Sequence, residues 1–164
     1  PILDKFNSRN TELNEFLQKD ASGYQKLHIV VTYLLFRKSD KRLLAYMTLS
    51  MGALKLPEKK EEFVFAGKKL GEHPKDFPSQ LPALLIGKLA TNNDEEGKNA
   101  ATLLLKYAIQ LAIAQRQTIG CAFLVAHAYT KPEVVQWYES RFFKKIIQNP
   151  EGRETIPMYL ELGP

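Results

Sequence analysis

The sequence is poor in the residues that build covalent and metal-bound frameworks. It contains one cysteine, Cys121, and three histidines in 164 residues. A lone cysteine excludes a disulfide within the chain and fits a reducing compartment, so we expect a cytoplasmic protein. No cluster of histidine, cysteine and carboxylate residues has metal-ligand spacing, and no metal site is predicted. The apolar runs are too short for a membrane span, and the first residues lack the pattern of a secretory signal.

The composition is otherwise that of a globular protein. Hydrophobic residues make up 45% of the chain and charged residues 25%, with a net charge of +5. The length fits a single domain over residues 1–164. The positive charge favours an anionic partner, either a phosphate-bearing cofactor or nucleic acid.

The first half of the chain predicts a helix, a hairpin and a long loop. Residues 10–19 place Leu13, Phe16 and Leu17 on one helical face. Residues 27–36 are typical of a buried strand, and a polar turn connects them to a second strand over 43–51. Residues 54–79 predict a connecting loop with a short helix near Phe63. This loop is either a lid beside the substrate or a disposable surface insertion.

The second half has a more regular pattern of strands and helices. Its predicted elements are, in order, a strand over 82–90, a polar turn over 92–98, a helix over 100–116, a strand over 121–126, a helix over 132–140, and strands over 142–147 and 155–162. The element order predicts an α/β protein with a mixed sheet of six to seven strands flanked by helices. The unit over 82–126 is expected to be a right-handed parallel crossover.

One joint between a strand and a helix has the character of a phosphate site. The strand ends near Thr91 and the helix begins at Ala100, where backbone N–H groups and the helix dipole favour an anion. The small residues Gly97, Ala100 and Ala101 would let a ligand approach the backbone, and Lys98 adds positive charge. An ordinary helix start explains the same pattern.

Several motifs resemble the GNAT superfamily of acyl-CoA N-acyltransferases. Lys88-Leu-Ala-Thr91 resembles the family's Arg-Leu-Ala-Val strand, and Glu96-x-x-Asn99-x-Ala101 occupies the place of its Gln/Arg-x-x-Gly-x-Gly/Ala turn. Trp137-Tyr138, followed by Phe142-Phe143, resembles an aromatic–Tyr pair followed by Gly-Phe. The stretches Asn10-Thr-Glu-Leu-Asn-Glu-Phe-Leu17 and Tyr46-Met-Thr-Leu-Ser50 are similar to a subgroup of toxin–antitoxin acetyltransferases that acetylate aminoacyl-tRNA.

The resemblance implies an acetyl-CoA-dependent N-acetyltransferase that releases coenzyme A. Main chain at the end of the strand would pair with the pantetheine arm, and the following turn would hold the pyrophosphate. The implied cofactor-binding residues are Leu89, Ala90, Thr91, Glu96, Gly97, Lys98, Asn99, Ala100, Ala101 and Thr102. Tyr138 corresponds to the tyrosine that protonates the leaving thiolate, and a phenol pKa of about 10 against about 8.5 for a thiol suits that role. By spacing alone, Trp137 and Tyr138 are packing aromatics.

The acceptor and the partners stay open among several alternatives. An aminoacyl-tRNA is the preferred acceptor, with a protein lysine or small amine as the second possibility. The changes to Glu96 and Asn99 also allow a degenerate GNAT-like binding module without turnover. An antitoxin protein and a homodimer are further expected partners.

The general base and the acceptor surface depend on residues with ordinary explanations. His28, His73 and His127 are isolated histidines, which are more often structural than catalytic. His127 is the best-placed candidate base among them, and a water-mediated route would need no residue. Cys121 fits a core position. Arg141, Lys144 and Lys145 would be the best-placed part of a tRNA backbone track, whereas the sequence alone favours a solvated surface as the explanation of the scattered basic residues.

Overall fold

The computed structural model describes residues 2–57, 63–73, 77–95, 98–146 and 152–163. Its strands are β1 (Val31–Phe36), β2 (Leu43–Lys55), β3 (Val64–Phe65), β4 (Lys68–Lys69), β5 (Gln80–Thr91), β6 (Phe123–Tyr129), β7 (Lys144–Lys145) and β8 (Thr155–Glu161). Its longer helices are α1 (Thr11–Glu15), a π-helical segment (Phe16–Asp20), α2 (Ala21–Lys26), α3 (Ala100–Gln115) and α4 (Pro132–Glu139). Short 3-10 helices lie at Leu3–Lys5, Leu70–Glu72 and Asn93–Glu95.

Six strands form one sheet in the order β1-β2-β5-β6-β8-β7, and β3 pairs with β4 separately. β1 is antiparallel to β2, and β8 is antiparallel to both β6 and β7. α3 lies between β5 and β6 along the chain and α4 between β6 and β7, and the structure confirms the predicted mixed α/β fold. The right-handed parallel crossover from β5 to β6 stays a prediction.

The chain divides into two compact units, and the single domain stays a prediction. The first unit comprises Pro1–Ser50 and Ile86–Gln110, and the second comprises Met51–Leu85 and Leu111–Pro164.

The amino-terminal helix anchors the core of the first unit. The Asn10 side chain accepts hydrogen bonds from the N–H groups of Glu12 (3.0 Å) and Leu13 (3.3 Å), capping α1. Leu13, Phe16 and Leu17 are all buried, as their spacing predicts. The hydroxyl of the buried Tyr46 donates to the Leu13 carbonyl at 2.7 Å, so β2 is fastened to this helix.

The prediction of a buried strand over 27–36 is wrong in its start and in its burial. Helical structure continues to Lys26, and His28 has a left-handed φ of 57°. Leu27 is 70% exposed, and β1 begins only at Val31. β1 lies at the edge of the sheet, so its apolar residues are not covered on all sides. β-Branched and apolar composition alone does not distinguish such an edge from a central strand.

The segment after β2 contributes to the core of the second unit. Phe63 is buried, and its ring centroid lies 6.3 Å from Phe123 and 5.4 Å from Tyr159. β3 follows it directly, so the short helix predicted near Phe63 does not include Phe63 or the residues after it. Because Phe63 and Leu70 belong to the buried cluster, this segment is not a disposable insertion. Residues 58–62, the charged run, lie outside the described part of the chain.

Four other predicted elements agree with the structure to within two residues, namely those over 82–90, 100–116, 132–140 and 155–162. The strand predicted over 43–51 extends to Lys55, and the one predicted over 121–126 extends to Tyr129. The helix predicted over 100–116 ends at Gln115, and the one over 132–140 ends at Glu139. The strand predicted from Cys121 begins at Phe123. The strand predicted over 142–147 is reduced to Lys144–Lys145, because Phe142 adopts a left-handed φ of 67° that a strand does not allow.

Candidate active site

The end of β5 is held closely against β2. A Cβ atom at Gly87 would lie 2.9 Å from Thr48 Oγ1, so glycine permits the close approach of the two strands. Beyond the strand, the Asn92 N–H donates to the Leu44 carbonyl (2.8 Å) and its side-chain amide to the Leu43 carbonyl (3.3 Å). Leu89 and Thr91 are half-buried and Ala90 is buried. These contacts with β2 hold the end of β5 in place before the turn begins. The resemblance implies that the main chain at this strand end pairs with the pantetheine arm.

A buried carboxylate that the sequence analysis missed organises the turn after β5. The Glu95 side chain is only 6% exposed, forms an ion pair with Arg37 and lies 3.8 Å from the ammonium of Lys98. Its neighbour Asp94 pairs with Arg42. Arg37 and Arg42 flank the turn between β1 and β2, far from Glu95 in sequence. The sequence shows an acidic run after β5 and two arginines beside the hairpin turn, but no pattern in it indicates that these residues form ion pairs.

Asn99 has the backbone that the family's glycine would provide. Its φ is 66°, and the first hydrogen bond of α3 runs from the Leu103 N–H to the Asn99 carbonyl at 3.0 Å. Asparagine is among the residues that accept this conformation most readily. Ala100 is buried and Ala101 is half-buried. The replacement of glycine by asparagine therefore leaves the backbone course into α3 intact.

The described part of this turn fits an anionic diphosphate. α3 begins at Ala100, and the helix dipole gives this end of the helix a partial positive charge that favours an anion. Arg37 and Lys98 offset the charge of Glu95, so this carboxylate does not leave the turn negative. Glu96 and Gly97 lie outside the described residues, and their assigned roles stay predictions.

Tyr138 lies buried on α4 among other aromatic rings. Its ring centroid is 5.0 Å from Trp137 and 5.1 Å from Phe143, both in edge-to-face arrangements. Burial raises the pKa of Tyr138 well above its ordinary value. The phenol is therefore protonated throughout the neutral range, which is the state that a proton donor requires.

The carboxyl end of α4 closes with a left-handed residue that is not glycine. The Phe143 N–H donates to the Tyr138 carbonyl (3.2 Å) and the Phe142 N–H to the Glu139 carbonyl (3.0 Å), the two bonds of a Schellman motif. The contact between Phe143 and Tyr138 supplies its apolar component. Phe142 takes the position that favours glycine, at a cost of about 1–2 kcal/mol. Its side chain is 83% exposed.

The remaining candidates for catalysis separate into buried and exposed groups. His73 Nε2 lies 3.2 Å from the Phe65 carbonyl and its ring lies 4.7 Å from Phe77, so this histidine is structural. His28 and His127 are exposed. Cys121 is buried and burial raises its thiol pKa, as expected for a core residue. Within the described ranges no group of His, Cys, Asp and Glu is arranged for a metal ion, and no helix is long and apolar enough to cross a membrane.

The basic residues differ in their environment. Arg37 and Arg42 are engaged with the turn after β5, where they serve structure. The Arg141 guanidinium lies 4.0 Å from the centre of the Trp137 ring, and Lys145 pairs with Glu139 at 2.9 Å. Lys144 is exposed beside them.

Comparison with known proteins gives matches in structure. No family model matches the sequence. A crystal structure described as a bacterial toxin has a TM-score of 0.79 at 14% identity, with 99% of this chain and 84% of that one covered. The toxin AtaT in complex with acetyl-methionyl-tRNAfMet has a TM-score of 0.76 at 20% identity, covering 97% and 86%. The chain shares the GNAT-type fold of these structures.

A further structure of this GNAT-type fold carries a cofactor and a partner protein. It is a tyrosine-to-phenylalanine mutant of AtaT bound to acetyl-CoA and to the C-terminus of the antitoxin AtaR. Its TM-score is 0.72 at 17% identity, with 98% of this chain and 85% of that one covered. These matches confirm the fold that the sequence resemblance implies.

Proposed function

We propose that this chain is an N-acetyltransferase that moves an acetyl group from acetyl-CoA to the primary amine of an aminoacyl-tRNA. The observation that carries the proposal is the fold shared along almost the whole chain with AtaT, whose solved structures contain acetyl-CoA and acetyl-methionyl-tRNAfMet. The same likeness supports an antitoxin protein as a partner, because AtaT is bound to AtaR. The expected homodimer stays a prediction.

The turn between β5 and α3 is the proposed binding site for the cofactor. The N–H groups at the start of α3 hold the pyrophosphate, and Ala100 and Ala101 keep that approach unobstructed. The main chain of Leu89–Thr91 holds the pantetheine arm. The pairing of Glu95 with Arg37 keeps the turn in the shape that these contacts require.

Tyr138 is the proposed general acid. Acetyl-CoA supplies an activated acetyl group as a thioester when it is bound. The phenol of Tyr138 holds a proton at neutral pH and donates it to the sulfur that leaves as the carbon–sulfur bond breaks. N–H groups near the end of β5 polarise the carbonyl under attack by the amine. His127 is the candidate to accept the amine's proton.

The proposal is tested by an acetyl-transfer assay with radiolabelled acetyl-CoA. Aminoacyl-tRNA, a lysine-containing peptide and a free amino acid are offered as separate acceptors. We expect label in the aminoacyl-tRNA and far less in the other two. Transfer to the peptide or amino acid alone would support the acetyltransferase activity and contradict aminoacyl-tRNA as the acceptor.

A non-catalytic binding module is the second candidate function. Phe142 favours it, because a side chain other than glycine stands at the end of the helix that carries Tyr138. Asn99 weighs against it, because the backbone before α3 keeps its left-handed course. Binding of acetyl-CoA without transfer to any of the three acceptors would favour this module.

A further inference from the structure

Two independent observations indicate that Phe142 does not stabilise the fold. Its backbone is left-handed, with a φ of 67°, where a side chain of any size is disfavoured. Its ring is 83% exposed to solvent and so contributes little to the core. The Schellman motif is complete without this ring, since its apolar contact comes from Phe143 and Tyr138. Strained residues that the fold does not need tend to mark functional sites.

The residues around Phe142 combine aromatic surface with positive charge. Arg141 precedes it and lies 4.0 Å from the Trp137 ring. Lys144 and Lys145 follow it in β7, and both are exposed. Lys145 is oriented by its ion pair with Glu139 at 2.9 Å. Exposed aromatic rings beside cations are the combination that binds single-stranded nucleic acid, by stacking on the bases and attracting the phosphates.

We propose that Phe142 is a stacking platform for an unpaired base of the RNA acceptor, with Lys144 contacting the adjacent phosphate. This inference rests on the proposed function, because a tRNA presents unpaired bases at its aminoacylated end. A protein partner would instead bury the ring in an apolar pocket. The flanking cations and the flat, fully accessible ring favour the nucleic acid.

The test measures the affinity of the purified full chain for a fluorescent single-stranded oligoribonucleotide and for unacylated tRNA. Phe142→Leu and Phe142→Tyr are matched variants, since both keep a side chain on the left-handed backbone and only Tyr keeps an aromatic ring. We expect Phe142→Leu and a third variant, Phe142→Gly, to weaken RNA binding roughly tenfold, and Phe142→Tyr to keep the wild-type affinity. Lys144→Gln weakens binding to both RNAs and reduces its dependence on salt.

Other outcomes overturn the proposal. Equal affinity of the wild type, Phe142→Leu and Phe142→Gly would remove the stacking role, as would absence of RNA binding by the wild type. If Phe142→Leu keeps the affinity for RNA and Phe142→Gly loses it, the contact is apolar and does not require an aromatic ring, which fits a protein partner better. Each variant is checked by thermal unfolding, and Phe142→Gly is expected to unfold at a higher temperature than the wild type.

The acetyl-transfer assay, run with the same samples, separates this inference from the proposed function. Transfer to aminoacyl-tRNA with unchanged KM in Phe142→Leu refutes the stacking role and leaves the enzyme intact. RNA binding that depends on Phe142 without any transfer refutes the acetyltransferase and leaves the stacking role.

Discussion

The start of α3 and the end of α4 have the same left-handed backbone conformation but different side chains. Asn99, before α3, and Phe142, after α4, have φ values of 66° and 67°. Both stand where the GNAT resemblance places glycine. Asparagine accepts this conformation at little cost, whereas phenylalanine does so only against a steric penalty.

The difference indicates what each end is for. At Asn99 the backbone is what matters, since it directs the chain into the helix start that is proposed to bind the diphosphate. At Phe142 the backbone is retained while a large exposed ring is added. A substitution that costs stability without filling the core is better explained by a contact outside the protein. We therefore propose the start of α3 as the cofactor site and the end of α4 as the place of the general acid and the acceptor.

The largest effect is expected at Tyr138. Tyr138→Phe removes the phenol proton and keeps the ring among Trp137 and Phe143, so packing is retained. We expect kcat to fall by about 100-fold or more, with the Kd for acetyl-CoA within about twofold of the wild type. Steady-state kinetics and calorimetry measure the two quantities. An unchanged kcat would remove Tyr138 from the mechanism.

The next effect concerns the stability of the turn before α3. Arg37→Met removes the ion-pair partner of the buried Glu95 carboxylate, and we expect a loss of about 2 kcal/mol in the free energy of unfolding. Arg42→Met is the control, because its partner Asp94 is 62% exposed and solvent screens the pair, so the loss should be much smaller. Urea denaturation compares the two. Equal losses would show that Glu95 does not organise the turn.

A smaller effect is expected on cofactor affinity. Ala101→Glu adds a carboxylate in the first turn of α3 and should raise the Kd for acetyl-CoA about tenfold with little change in kcat. Leu103→Glu, at an exposed position two residues further along, is the matched control and should change the Kd by much less. If both variants bind acetyl-CoA as tightly as the wild type, the diphosphate lies elsewhere.

The smallest effect tests the comparison of the two helix ends itself. Phe142→Gly should raise the free energy of unfolding by about 1 kcal/mol, because glycine relieves the left-handed strain. Asn99→Gly should change it by less than about 0.5 kcal/mol. A stabilisation by Asn99→Gly as large as that by Phe142→Gly would mean that both side chains are strained alike.

Periodicity and turn chemistry were sufficient for the regular elements. α3 is predicted from its helical spacing to within one residue. This feature depends on contacts within one turn, which a sequence displays directly. The predicted start of β1 is wrong because the apolar residues of the predicted strand lie partly in an edge strand and partly in the segment after α2.

The features missed in the site depend on contacts between distant residues. Arg37 and Glu95 meet only because β1, β2 and β5 are neighbours in one sheet. The sequence also does not predict that Phe63 and Leu70 belong to the core, because a charged run and several glycines and prolines obscure the hydrophobic pattern around them. The assignment of the turn before α3 and of Tyr138 came from family resemblance, since spacing alone favoured an ordinary helix start and packing aromatics.

Calorimetric titration of the wild-type protein with acetyl-CoA tests the central claim most directly. The account predicts saturable binding with one site per chain, at an affinity that Ala101→Glu lowers and Tyr138→Phe leaves nearly unchanged. Absence of binding at millimolar acetyl-CoA would contradict the acetyltransferase, whichever acceptor is considered.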